Sequence, residues 1–347
     1  MVSNYPLSYK LSWLPRFLKP SLRGDVSGFA PAAQALMQPM PASTVRLAFV
    51  GDISAVANHD VPVIDPALAA VLSAADLVVG NCESPVIERP RARFGTWLGT
   101  RHAMTPAFLA AALEAAGVRP TKLVLSVANN HMLDQGAGGF DETLATLRGL
   151  GIRPIGTAVD GPVARVAAGP ITLGFAAFTQ WRNAGQAAFA GRVAMAGEQV
   201  RTGDGIDFLC AAPHWDWEFR HFPRAETRLW AQRLAGQGFG LIAGHHAHVV
   251  QPVERIGKTV VAYGLGDFLG TVLPRQPWPG RIGAMLLAEV STDLATRGSV
   301  AAYQMRFFYR QREGVRERLV PIEALEGPAR SRVEARLAAI YGKPRGG

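Results

Sequence analysis

The chain of 347 residues is 48% hydrophobic and 18% charged, which excludes a disordered or fibrous protein and leaves length for a large core in one domain or two. With 36 Lys and Arg against 27 Asp and Glu, its formal charge of +9 favours anionic partners such as phosphate esters, polycarboxylates or nucleic acid. Two cysteines, Cys82 and Cys210, are too few for a disulfide scaffold or a thiolate zinc site.

The first residues place Lys10, Arg16, Lys19 and Arg23 among Leu, Trp and Phe, with Pro15 and Pro20 interrupting. No apolar run approaches the ~18 residues that cross a bilayer, so no transmembrane segment and no clear signal peptide are expected. Residues 1–20 are predicted to be a strap over the body, a poorly ordered arm, or a surface-lying segment in peripheral membrane contact. A cytoplasmic or membrane-peripheral location follows as the expectation.

Residues 21–45 are rich in Ala, Pro, Ser and Gly and complete an N-terminal extension, 1–45. A strand at 46–50 then stops at Gly51-Asp52. The same grammar recurs where 75–79 ends at Gly80-Asn81-Cys82-Glu83 and where 122–128 ends at Asn129-Asn130-His131. Periodic helices are predicted at about 105–117, 139–150 and 224–236. Further strands are expected at 171–178, 206–211, 239–243, 259–263, 284–289 and 302–309, with a hairpin over 252–261 turning at Gly257-Lys258. Both parallel αβ units and antiparallel pairs are implied. The catalytic domain is placed at 46–325, and 326–347 is read as a C-terminal helix, with its periodicity at 331–340, and a tail.

In open α/β folds, sites gather at the carboxyl ends of strands. There this sequence puts Asp52, Asn81, Glu83, Asn130, His131, His214, Asp216, Glu218, the run His245-His246-Ala247-His248, and Asp267. Oxygen and imidazole donors without thiolate suit Mn²⁺, Fe²⁺ or Zn²⁺. A carboxylate shared between two ions would let both act on one water.

The segments Phe49-Val50-Gly51-Asp52, Asn81-Cys82-Glu83-Ser84-Pro85, Asn129-Asn130-His131-Met132-Leu133-Asp134-Gln135-Gly136, Pro213-His214-Trp215, Gly244-His245-His246-Ala247-His248-Val249-Val250-Gln251-Pro252 and Gly264-Leu265-Gly266-Asp267-Phe268 cover much of 46–270. Together they resemble the calcineurin-like metallophosphoesterase superfamily, and more closely its capsule-synthesis CapA branch of poly-gamma-glutamate biosynthesis proteins. The resemblance implies an α/β metallophosphatase-like sandwich of two mixed β-sheets flanked by helices. It implies one or two divalent ions, Mn²⁺ first and Fe²⁺ or Zn²⁺ as alternatives. Asp52, Glu83 and His248 would hold one; Glu83, Asn130, His214 and His246 would hold the other. His131 would stand beside them as proton donor or charge stabiliser, oriented by Asp52 or Asp134, with His245 a neighbour. The sequence departs from the superfamily where Ile53 and Ser54 follow Asp52 without the usual histidine, and from the branch where Asp216 and Asp267 replace Gly and Asn.

On the substrate side, alternation over 215–219 would put Trp215, Trp217 and Phe219 on one face and Asp216 and Glu218 on the other, if that segment is extended. The aromatics are read either as a plug under the site or as a wall for an organic side chain. Trp97, Arg101 and His102 form a second candidate wall, Arg182 a planar anion donor, and Asp267 a further acid. Arg89, Arg91, Arg93 and Arg101 are read as a solvated face or a polyanion contact. No helix-turn-helix, zinc finger or aromatic RNA platform is visible, which argues against nucleic acid.

The expected activity is a metal-dependent, phosphoesterase-like hydrolase acting on an anionic small molecule, peptide or polycarboxylate. The alternatives are a metal-dependent epimerase of a peptide or amino-acid polymer, with His131 exchanging the Cα proton, and a nonhydrolytic component of capsule or poly-gamma-glutamate biosynthesis. Oligomeric state is left open.

Overall fold

A computed structural model describes residues 3–55, 60–90, 101–197, 205–270, 276–314 and 316–342. Two mixed sheets face one another. In the first, neighbouring strands are Phe29–Ala30, Val253–Ile256, Thr259–Ala262, Leu241–Ala243, Phe208–His214, Ile171–Thr179 and Ala164–Ala168. In the second they are Val63–Ile64, Arg316–Pro321, Val300–Glu313, Ile282–Ser291, Thr44–Ser54, Leu77–Cys82, Leu123–Ser126 and Arg153–Ile155. Asp267–Gly270 also pairs with Thr44–Ser54, and Ala33–Ala35 with Val300–Glu313.

Side-chain alternation divides the core. Leu173, Phe175 and Ala177 pack in the main core with Phe49 and Leu125 of the second sheet. Ala176 and Phe178 point the other way, onto Ala231 and Leu234 of helix Ala225–Gly236. Leu77–Cys82 and Leu123–Ser126 are buried along their whole length, as parallel strands covered on both faces require. The intervening helices begin where an N-cap precedes proline. Asp65 accepts from Ala67 N ahead of Pro66–Ser73, and Thr105 accepts from Phe108 N ahead of Pro106–Ala115.

The hairpin forms with Val253–Ile256 antiparallel to Thr259–Ala262, and the C-terminal helix runs over Gly327–Tyr341. One predicted strand shifts. The run placed at 206–211 lies instead at Phe208–His214, because Pro213 and His214 continue the parallel register with Phe178 and Thr179. Within the N-terminal segment a helix runs over Leu7–Leu18, with Pro15 inside it, and it turns Tyr9, Arg16 and Phe17 onto the body. No helix among the described residues is long and apolar enough to cross a membrane.

Candidate metal centre

The polar residues converge where strands of both sheets end. Thr44–Ser54 presents Asp52 at an irregularity, since its pairing with Leu77–Cys82 slips between Phe49 and Asp52. A slip of this kind re-aims a side chain. Gly51 allows it, because a Cβ there would sit 1.8 Å from the Gly266 carbonyl oxygen. Leu77–Cys82 carries Asn81 and leads directly to Glu83. From the other sheet, Phe208–His214 ends on His214. Leu241–Ala243 opens into the histidine loop at Gly244, whose Cβ would lie 2.0 Å from the Tyr263 carbonyl oxygen. His246 and His248 then adopt left-handed backbone, φ 86° and 51°. Only a few per cent of non-glycine residues adopt positive φ.

Three groups of donors have their ligand atoms within 4.8 Å of one another: Glu83, His214 and His246; Glu218, His246 and His248; Asp52, His248 and Asp267. Glu83 Oε1 is 3.7 Å from His214 Nε2 and 3.5 Å from His248 Nε2, and Asp52 Oδ2 is 3.6 Å from His248 Nδ1. His214 Nε2 lies 2.7 Å from Asn130 Oδ1. Asn81 Nδ2 donates to Asp52 Oδ1 at 2.7 Å, and Asn129 Nδ2 donates to Asn81 Oδ1 at 3.1 Å. His246 N donates to Asp52 Oδ2 at 3.0 Å.

The fit to a cation rests on what these groups lack. Both carboxylate oxygens of Glu83 and both ring nitrogens of His246 are buried without a hydrogen-bond partner among the described residues. A buried polar group left unpaired costs ~1–3 kcal/mol, and more when charged. Burial pushes the Glu83 carboxyl well above its usual range and also raises Asp52. Burial, reinforced by neighbouring imidazoles, drives His214 and His246 well below the usual histidine range and so favours their neutral, ligating form. Burial opposes the charge on His248, yet the Glu83 and Asp267 carboxylates outweigh it and raise that histidine. These residues therefore fit one or two divalent ions.

Beside the donors, His131 Nδ1 meets Asp134 Oδ2 at 2.7 Å. Of the two acids considered for orienting it, Asp134 is the one in contact. The His102 ring stacks on it, centroids 3.6 Å apart and planes within 1°. His245 Nε2 lies 3.1 Å from Val50 O and ties the histidine loop to the second sheet.

The substrate-side residues scatter. The segment 215–219 is not extended as anticipated, because Asp216 and Phe219 adopt φ of 65° and 61°. Trp215 is fully buried, its indole donating to Tyr263 O at 2.9 Å. Asp216 is buried and meets Arg224 Nε at 2.7 Å. Trp217 lies between the Arg16 and Arg224 guanidinium groups, 5.0 and 4.8 Å from its ring centroid. Asp267 is held by His248 Nδ1 at 2.7 Å and by Arg310 Nη1 at 2.8 Å, which makes it a support for His248. Arg182 donates to Ala184 O, and its backbone N donates to Asn4 Oδ1. Arg101 is half-buried at the start of the segment that leads to His102. Trp97 lies outside the described residues.

Sequence reasoning missed the roof. Tyr5 stacks on Trp181 at 4.9 Å and lies 6.2 Å from the His246 ring, while Tyr9 meets Trp217 edge-on at 5.4 Å. Trp13 Nε1 donates to Glu218, which joins His246 and His248 as a candidate ligand although it was read only as a substrate contact. The one signal was the aromatic content of the first residues.

Among known proteins, the family described as "Bacterial capsule synthesis protein PGA_cap" matches residues 23–271, which include every candidate ligand. The chain belongs to that family. Curated PGA_cap relatives include "PGA biosynthesis protein CapA" of Bacillus subtilis (strain 168), 26% identical over 217 residues, covering 57% of this chain and 54% of the relative. "Capsule biosynthesis protein CapA" of Bacillus anthracis is 25% identical over 221 residues, covering 57% and 51%. The chain thus spans about half the length of the curated relatives it matches. Among solved structures, a putative 5'-nucleotidase from Staphylococcus aureus in complex with alpha-ketoglutarate is similar at a TM-score of 0.45 and 12% identity, covering 85% of this chain and 59% of that one. The calcineurin-like phosphoesterase YfkN of Bacillus subtilis is similar at a TM-score of 0.40 and 12% identity, covering 76% and 91%.

Proposed function

We propose that this protein is a metal-dependent hydrolase that cleaves a phosphoester-type bond in an anionic substrate. The observation that supports the reading is that the buried donors Glu83 and His246 have no hydrogen-bond partner among the described residues and stand next to an oriented His131–Asp134 pair. Glu83, His214 and His246 would hold one divalent ion, and Asp52 and His248 a second, with Glu83 shared and Glu218 available to His246 and His248. Bound divalent ions supply Lewis acidity and neutralise negative charge developing on the substrate. Asp134 occupies His131 Nδ1, leaving Nε2 as the nitrogen that exchanges a proton with the leaving group. Asn81 and Asn129 fix the Asp52 carboxylate, and Asp267 fixes the His248 ring.

The test is metal content of protein purified without chelator, followed by turnover of a phosphomonoester and phosphodiester panel with added Mn²⁺, Fe²⁺ or Zn²⁺. Metal-restored turnover that falls by roughly a hundredfold or more in His131→Ala, with metal content retained, is expected. His214→Ala should lose both metal and turnover. A metal-loaded protein inactive on the whole panel overturns the hydrolytic reading.

The names of the relatives support a second reading, a part in producing an anionic capsule polymer. Unchanged polymer output in cells carrying His131→Ala and His214→Ala would favour a nonhydrolytic role in that process. Metal-dependent deuterium incorporation at Cα of an amino-acid polymer in D₂O would favour epimerisation instead.

A further inference from the structure

The helix Leu7–Leu18 has two unlike faces. Its inner face is fixed to the body: Tyr9, Arg16 and Phe17 are buried, and Arg16 donates through Nη2 to Tyr9 O at 3.1 Å and through Nη1 to Glu218 O. Phe17 packs on Phe219 at 5.2 Å and on Trp13 at 5.3 Å. Those contacts set the helix rotation and turn Leu7, Leu11, Leu14 and Leu18 outward, 70, 72, 56 and 63% exposed. Spacings of four, three and four residues align them in one stripe. Single exposed leucines are ordinary, but four on one helical face are not.

The exposed charges that flank the stripe along the chain are cationic: Lys10 on the helix, Lys19 at its C-cap and Arg23 just beyond, before the first acid at Asp25. Two copies meeting through this stripe would bring cations against cations. An anionic bilayer surface meets both features at once, accepting leucines below the headgroups and lysines among the phosphates. At 12 residues the helix is about 18 Å long, too short to cross a bilayer but suited to lying in its surface.

We infer that the outer face of helix Leu7–Leu18 docks this protein on an anionic lipid surface. The docking is independent of the reaction catalysed. Because Tyr5, Tyr9 and Trp13 roof the donor cluster, it also sets that cluster against the membrane.

Full-length protein is sedimented with vesicles of phosphatidylcholine alone or mixed with phosphatidylglycerol. Wild type should partition onto the mixed vesicles, and Leu11→Glu/Leu14→Glu should lower the partition coefficient by at least about tenfold. Lys10→Gln/Lys19→Gln, which leaves the stripe intact, should lower it by about fivefold per lysine, with the difference from wild type shrinking at high salt. Matching thermal melts would establish that both variants are folded. Equal partitioning of wild type and the leucine variant, or no sedimentation of wild type with either vesicle, overturns the inference. So does a leucine-dependent dimer in analytical ultracentrifugation without vesicle binding, which would assign the stripe to a second copy.

Discussion

At the scale of single residues, His131 is constrained from two directions. Asp134 takes Nδ1 at 2.7 Å, and the parallel His102 ring restricts rotation from the side. Asp134 also accepts from the His102 backbone N at 2.7 Å, so one carboxylate holds the His131 ring and the backbone that carries His102. Under the hydrolytic reading, Asp134→Asn should reduce kcat by about ten- to a hundredfold while leaving KM and bound metal nearly unchanged. A KM effect of the same size, or loss of metal, would show that Asp134 supports the site as a whole and not the ring alone. Asp134 was legible only through the family resemblance, as one of two acids that could orient His131. The stack was not, since His102 arrives from a separate segment and ring contacts leave no periodic trace in sequence.

At the scale of elements, the strands ending at Asp52, Glu83 and His131 were readable because a buried apolar run stops where polar residues begin. The glycines next to the ligands had a reason that sequence did not reveal. Gly51 and Gly244 let neighbouring backbones approach at distances no Cβ permits, Gly51 against Gly266 and Gly244 against Tyr263, just before Asp52 and the histidine loop. The extended form on which alternation over 215–219 depended is not adopted, because tertiary partners override it: Arg224 draws Asp216 inward, and Tyr263 captures the Trp215 indole. Arg310 was equally hidden, as one more polar residue in an alternating strand. It is buried between Asp267, at 2.8 Å, and Glu317, at 3.1 Å, so a single cation joins Val300–Glu313 to two other strands. Arg310→Met should cost about 3–5 kcal/mol by removing the buried cation that Asp267 and Glu317 share. For a chain this long that is a fall of roughly 4–7 °C in Tm. Arg310→Met/Glu317→Met should recover part of the loss, whereas equal melts for the two variants would argue that Glu317 contributes nothing to the pair.

At the scale of the whole molecule, the donor cluster is also a joint. Asp52, Asn81 and Glu83 come from the second sheet, while His214 and the histidine loop come from the first. An ion held by Glu83, His214 and His246 would therefore bind only when both sheets are assembled, so its binding energy adds to folding stability. At a free metal concentration about a hundredfold above Kd the gain is about 2.7 kcal/mol, or roughly 4 °C in Tm for a chain of this length. Chelation should remove that increment and Mn²⁺ should restore it. Glu83→Gln separates the ion's contribution from that of the carboxylate. Glu83 is fully buried with neither carboxylate oxygen hydrogen-bonded among the described residues, so under chelation the neutral amide should leave the melt unchanged or raise it. The same substitution should abolish the response to Mn²⁺. A variant that melts lower under chelation yet keeps the full metal increment would place Glu83 in the structural core and remove it from the ligand set.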